Sequence, residues 1–258
     1  MLFSSAAICD PGPVRVDNQD NLFMNGIHRR VIESEQTFQC ENVCTGRGLY
    51  AVADGMGGEA NGAEASSIAV RDLNLEEHAS AEALTKYLLE RNERLCDLME
   101  QSGQRMGTTF VGLCVGDDTA EIVNIGDSRV YLMRSRVLSQ LSCDHTAVRP
   151  MVEMGLLSRE AARSHPDRHR LSQHLGVFPE ELLIEPFATQ ISTRPGDLFL
   201  LCSDGLTEGL EDEEIELLLR DVPCLAAKAD ELLSAAIQAG SRDNISILLV
   251  RMTELPPL

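Results

Sequence analysis

Apolar residues fall in runs of two kinds. Short runs rich in Val, Ile, Leu and Phe cover 49–53, 108–115, 121–125, 128–133, 197–202 and 244–251. Gly or Asp bounds many of them, and runs of that length between turn residues predict β-strands. Elsewhere the spacing is helical. Ser80 is a candidate cap for a helix whose Leu84, Leu88, Leu95 and Met99 share a face and which ends near Gly103. Small residues from Ala60 to Ala69 predict a closely packed helix. Glu211, Asp212 and Glu213 suit the first turn of a helix continuing through Ile215, Leu218 and Leu219, because carboxylates favour the positive end of the helix dipole. Another helix is expected over 224–239, stopped by Gly240, and two short ones around Met151 and Ser158. Strands and helices come in blocks without regular βαβ alternation, which predicts an α+β fold.

Composition narrows the setting. The 258 residues, 43% hydrophobic, suffice for one domain or two small ones. No stretch approaches the ~20 apolar residues that span a membrane. The N-terminus lacks a basic segment, and Asp10 and Pro11 interrupt its apolar part, which argues against a signal peptide. A soluble, cytoplasmic protein is expected. The eight cysteines are scattered, several inside apolar runs, and read as reduced core residues; no second pair accompanies Cys40 and Cys44 to complete a zinc site. The net charge of −19 disfavours nucleic acid and anionic lipid as partners.

The charge gains a second meaning from its placement. Asp54, Asp127, Asp204 and Asp243 each adjoin an apolar run, next to Gly or a polar turn, and the segment 14–20 adds Arg15, Asp17 and Asp20. One such aspartate is an ordinary turn residue. Several side by side make an anionic, oxygen-only cavity suited to Mg²⁺ or Mn²⁺. Two such ions about 4 Å apart bind a phosphate and activate a bridging water. A guanidinium then clamps the phosphate oxygens, and Arg15 is the best candidate.

The ordered set Arg15-Val-Asp-Asn-Gln-Asp20, Asp54-Gly-Met-Gly-Gly, Gly107-Thr-Thr, Gly126-Asp-Ser-Arg, Asp144-His-Thr, Ser203-Asp-Gly-Leu and Asp243-Asn resembles the metal-dependent type 2C (PPM) serine/threonine phosphatases, most closely the compact bacterial ones. The resemblance runs from about Asp10 to Val250. It implies a four-layer α-β-β-α sandwich, two antiparallel sheets flanked by helical pairs, as one domain over 1–258 with a flap at about 144–176. It implies that Asp54 bridges two metals, that the Gly55 carbonyl binds one, and that Asp204 and Asp243 ligate the other. Asp127 would serve a third ion with Asp204, Arg15 would hold the phosphate, and Asp20 would position metal-bound water. The implied reaction is single-step attack of a metal-bridging hydroxide on phosphoserine or phosphothreonine. The implied partners are phosphorylated proteins, a Ser/Thr kinase or its targets among them; a monomer is expected.

Some residues depart from the family's pattern. Met56 stands where many eukaryotic relatives have a histidine that serves as general acid, and Gln19 where some relatives have Glu. His165, His169 and His174 gather in or beside the unusual segment 168–176, and the loop 26–48 is long. Among rival readings, Cys-x5-Arg occurs at Cys9–Arg15 and Cys143–Arg149. The thiol mechanism is disfavoured there because Asp10 and Asp144 follow the cysteines and Pro11 and Pro13 remove N–H donors. A pseudophosphatase that only binds phosphoproteins should have lost metal ligands, and all are present here.

Overall fold

The computed structural model describes residues 1–29, 36–57 and 59–254. The segment 26–48, expected as a long loop, instead carries strands over Ile27–His28 and Phe38–Thr45; its residues 30–35, and Gly58 of the Asp-Gly-Met-Gly-Gly motif, lie outside the described residues. One six-stranded sheet is built from β1 (Leu2–Asp10), β4 (Phe38–Thr45), β10 (Arg129–Arg134), β11 (Val137–Gln140), β13 (Leu198–Cys202) and β14 (Ile245–Thr253), in the order β11-β10-β13-β14-β1-β4. The other contains β2 (Asn21–Met24), β3 (Ile27–His28), β5 (Arg47–Ala53), β8 (Phe110–Gly116), β9 (Thr119–Ile125) and β12 (Phe187–Ser192), in the order β12-β9-β8-β5-β2-β3. Neighbouring strands in both run antiparallel. A small ladder joins β6 (Gly55–Met56) to β7 (Gly107–Thr108).

Alternation along the strands sorts the core into three sheets of side chains. Tyr50 and Val52 of β5 and Phe199 and Leu201 of β13 meet between the two sheets. Leu49, Ala51 and Ala53 face outward onto α1 (Glu59–Val70) and α2 (Ala81–Ser102), against Ile68, Leu84 and Leu88. Leu198, Leu200 and Cys202 face the other way, onto α5 (Asp204–Gly209), α6 (Asp212–Leu219) and α7 (Leu225–Gln238). The result is the α-β-β-α sandwich expected. It also explains why the central strands read as unbroken apolar runs: both of their faces are buried.

The helix signals match local geometry. Ser80 accepts the Ala83 N–H at 3.2 Å, and Gly103 closes α2 with φ 69°. Glu211 and Glu214 form a reciprocal capping box on α6. Three differences have physical causes. β1 was not among the predicted strands, yet it lies between β14 and β4; its run of Ser and Ala dilutes the apolar signal although Ser5 is buried. β4 and β12 alternate between half-buried and exposed positions, an edge-strand pattern without an apolar run. The single strand expected over 108–115 breaks at Thr109 into β7 and β8. Within 144–176 the two short helices are α3 (Arg149–Glu153) and α4 (Arg159–Arg163). Among the described residues no helix is long and apolar enough to cross a membrane.

Candidate active site

Strand ends bring the predicted acids together. Asp54 follows β5, Asp127 sits in the β9–β10 turn, Asp204 opens α5 after β13, and Asp243 precedes β14. Glycines permit the approach. A side chain at Gly55 would lie 2.1 Å from the Gly62 carbonyl oxygen, and one at Gly205 would lie 2.0 Å from that of Asn244. Bare backbone is what lets β6 touch α1, and α5 touch the start of β14.

The backbone of Asp54 is clamped from both sides. Its N–H donates to Thr109 Oγ1 at 3.0 Å, and its carbonyl accepts from Thr109 N and Thr108 Oγ1, both at 2.8 Å. Thr109 Oγ1 in turn shares a hydrogen bond with Ser128 Oγ at 2.7 Å. Removal from water pushes the Asp54 carboxyl well above the usual range, and the charges of Asp20, Asp204, Asp127 and Asp243 push it further. Asp127 is raised by the same causes, burial first and then Asp204 and Asp144. That mutual effect is the electrostatic signature of a shared cluster.

Asp20 is fully buried. Its Oδ2 accepts from Ser203 Oγ at 2.6 Å and Ser246 Oγ at 2.8 Å. Burial outweighs those hydrogen bonds and lifts its pKa to about 7. Its Oδ1, like Asp204 Oδ1, is buried with no hydrogen-bond partner among the described residues. The segment carrying Arg15 and Asp20 is laced down by Asn244, which accepts from Gln19 N at 2.8 Å and donates to Pro11 and Asp17 carbonyls. Buried Arg29 donates to the carbonyls of Asn18 and Asp20 from beneath.

The other acids face cations. Arg15 Nη2 lies 2.8 Å from Asp243 Oδ2, and His169 Nδ1 lies 3.5 Å from Asp204 Oδ2, which holds the imidazole pKa above its ordinary value. Among the described residues no three acidic, His or Cys side chains already close into a ligand shell. Even so, the oxygen-only donors and the two orphaned buried carboxylate oxygens suit hard divalent cations.

The segment 144–176 is tied to the site at both ends. At its base Arg129 forks onto Asp144, 2.7 Å at the closest, and His145 exchanges hydrogen bonds with Gly126 beside Asp127. At its far end Leu175 pairs with Thr108 of β7. His169 therefore reaches Asp204, whereas His165 lies beside Asp167 and His174 beside the Leu175 carbonyl. The thiol alternative fails on the same map: Cys9 is buried, with its pKa pushed up to about 11, and that of Cys143 is raised by burial. Arg29 and Ser246 were not singled out in the sequence. Ser246 stands 226 positions from Asp20, and Arg29 sits in a basic His28-Arg29-Arg30 run just after β3, with nothing in the sequence to mark it as buried.

The geometry is an acid-lined end on a sandwich of two antiparallel sheets, and known proteins say which class of protein carries it. The model of the family "Protein phosphatase 2C" matches residues 37–240. Protein phosphatase PhpP of Streptococcus pneumoniae is 34% identical over 257 residues, 96% of this chain and 96% of PhpP. The crystal structure of the Mycobacterium tuberculosis serine/threonine phosphatase PstP/Ppp superposes with a TM-score of 0.81 at 30% identity, covering 98% of this chain and 100% of that one. A PstP catalytic domain in complex with two manganese ions aligns at a TM-score of 0.77 and 28% identity, over 98% of this chain and 100% of that one. The chain belongs to the protein phosphatase 2C family and is a serine/threonine protein phosphatase.

Proposed function

We propose that the acidic end of the sandwich is the catalytic centre, and that it hydrolyses phosphoserine and phosphothreonine in proteins with Mg²⁺ or Mn²⁺ bound. The observation that carries this is the crowding of Asp20, Asp54 and Asp127 against Asp204 and Asp243: burial and the neighbouring carboxylate charges raise the pKa of the first three, and bound cations would relieve that repulsion. Asp54, the Gly55 carbonyl, Asp204 and Asp243 would hold two ions, and Asp127 would join Asp204 in holding a third. When bound, the cations supply charge that polarises the phosphoryl group and acidifies water.

The chain's own residues do the rest. Arg15 exchanges Asp243 for two phosphate oxygens, a bidentate geometry that guanidinium suits. Asp20, held by the two serine hydroxyls, presents Oδ1 to water and orients it toward phosphorus. The P–O ester bond breaks as the water oxygen adds, with no phosphoenzyme. Met56 has no proton to give, so solvent protonates the departing alkoxide. We read 1–258 as one catalytic domain, with 144–176 as a flap over the centre. We read its role as cytoplasmic, reversing the action of a Ser/Thr kinase on phosphorylated proteins. Simple capture of phosphoproteins is not favoured, because the acidic cluster is intact.

The test is hydrolysis of a phosphothreonine peptide before and after EDTA, then with Mn²⁺ or Mg²⁺ restored. Activity should vanish with the chelator and return with the cation. Activity that persists in EDTA would sink the proposal.

A further inference from the structure

Beside the acidic end lies a cavity of about 280 Å³ between the β6–β7 ladder and the chain from Leu171 to Leu182. We propose that it is a substrate subsite that takes one apolar side chain, Leu, Met or Phe, flanking the phosphorylated residue. The inference rests on the phosphatase reading above and adds a sequence preference to it.

Three observations point to that occupant. The first is position. Met56, one wall of the cavity, follows Gly55 directly in β6, so the cavity opens one residue away from the acidic centre. An extended peptide advances about 3.3 Å per residue, which puts the occupant within about two residues of the phosphate. The second is size. At about 280 Å³ it lies at the lower edge of the roughly 300–1,000 Å³ of small-molecule pockets and has room for one side chain.

The third is chemistry. Met56, Met106, Leu171, Val177 and Leu182 supply apolar walls, and thioethers adapt to side chains of differing shape. The charges at the rim are already spent on each other. Arg105 forks onto Glu181, 2.9 Å for one arm, and its guanidinium lies over the Phe178 ring at 5.0 Å. His174 Nδ1 sits 2.9 Å from the Leu175 carbonyl oxygen. A charged side chain entering here would leave water for a mostly apolar lining, and its only charged partners would be the two halves of the Arg105–Glu181 pair, which it would have to open. An apolar one loses nothing and gains burial.

The experiment uses the full chain with Mn²⁺. A phosphothreonine peptide carries Leu, Glu or Gly at each of the two positions on either side of the phosphate, and p-nitrophenyl phosphate serves as a substrate without flanking residues. At one position kcat/KM should be at least about tenfold higher for Leu than for Glu or Gly, the discrimination an apolar pocket provides. Leu182→Glu and Ser172→Trp, both at exposed positions, should compress that ratio to about threefold or less. Ratios within about twofold at all four positions, with p-nitrophenyl phosphate still hydrolysed, would overturn the subsite alone. So would variants that keep the wild-type ratio. Failure on every substrate with either cation would overturn the phosphatase reading, and the subsite with it.

Discussion

The acidic end has two halves built on different physics. In one, Asp54 and Asp20 are held by neutral groups: Thr108 and Thr109 grip the Asp54 backbone, and Ser203 and Ser246 grip the Asp20 carboxylate. In the other, Asp243 pairs with Arg15 and Asp204 lies beside His169, both partners on irregular segments. Arg15 and His169 are exposed, and exposed ion pairs contribute little to stability. Buried hydrogen bonds to backbone contribute more, and they are expensive to leave unmade. The neutral clamps therefore belong to the fold, whereas the ion pairs can exchange for phosphate or a bound cation at small cost.

The largest expected effect tests what both halves serve. Asp54→Ala should lower kcat/KM on a phosphothreonine peptide by at least about a thousandfold, ~4 kcal/mol of barrier. The same variant should stay folded and, in EDTA, melt no lower than wild type, since one repelling carboxylate has gone. Activity near wild type would remove Asp54 from the chemistry. A smaller effect separates the halves from each other. Thr109→Val keeps the shape but leaves Asp54 N–H and Ser128 Oγ short of a partner, which should cost about 1–3 kcal/mol. Arg15→Ala, on the ion-paired side, should shift stability by only about 0.5 kcal/mol. Urea midpoints at constant m-value read both, and equal losses would erase the distinction.

What the sequence disclosed and what it hid divide along the same line. Strands buried on both faces read as apolar runs, and aspartates at their ends marked the cluster, because both signals are local. The residues that hold those aspartates carry no local signal. Ser246 is a serine inside a strand, and Thr109 marks a break between two strands where the apolar pattern suggests one. Arg29 reads as an exposed loop cation, yet it is fully buried beneath the Asn18 and Asp20 carbonyls. β1 was hidden for a related reason: its Ser and Ala are small enough to sit inside a sheet, between β14 and β4, without making it look apolar. Spacing along the chain finds groups that repeat; it does not find a hydroxyl 226 positions away.

The last expected effect lies in the pH dependence of the metal-free protein, and it bears on Asp20. An ordinary aspartate titrates near 3.8, whereas Asp20 in the fold is lifted to about 7, so between those values the folded state binds the proton that the unfolded chain releases. The stabilising share of Asp20 is thus fully present below about 3.8 and is lost as pH rises through about 7. In EDTA the melting temperature should fall from pH 5 to pH 7.5, by about 3 °C or more for a chain of this size. Mn²⁺ should recover more of that loss at pH 7.5 than at pH 5, because carboxylates must shed protons to bind it. Asp20→Asn mimics the protonated form, and the Ser203 and Ser246 hydroxyls can turn to meet it, so its melting curve should change less over the same interval. If Asp20→Asn kept the full wild-type slope, the proton would reside elsewhere in the cluster, with Asp54 or Asp127 the carboxyl that takes it.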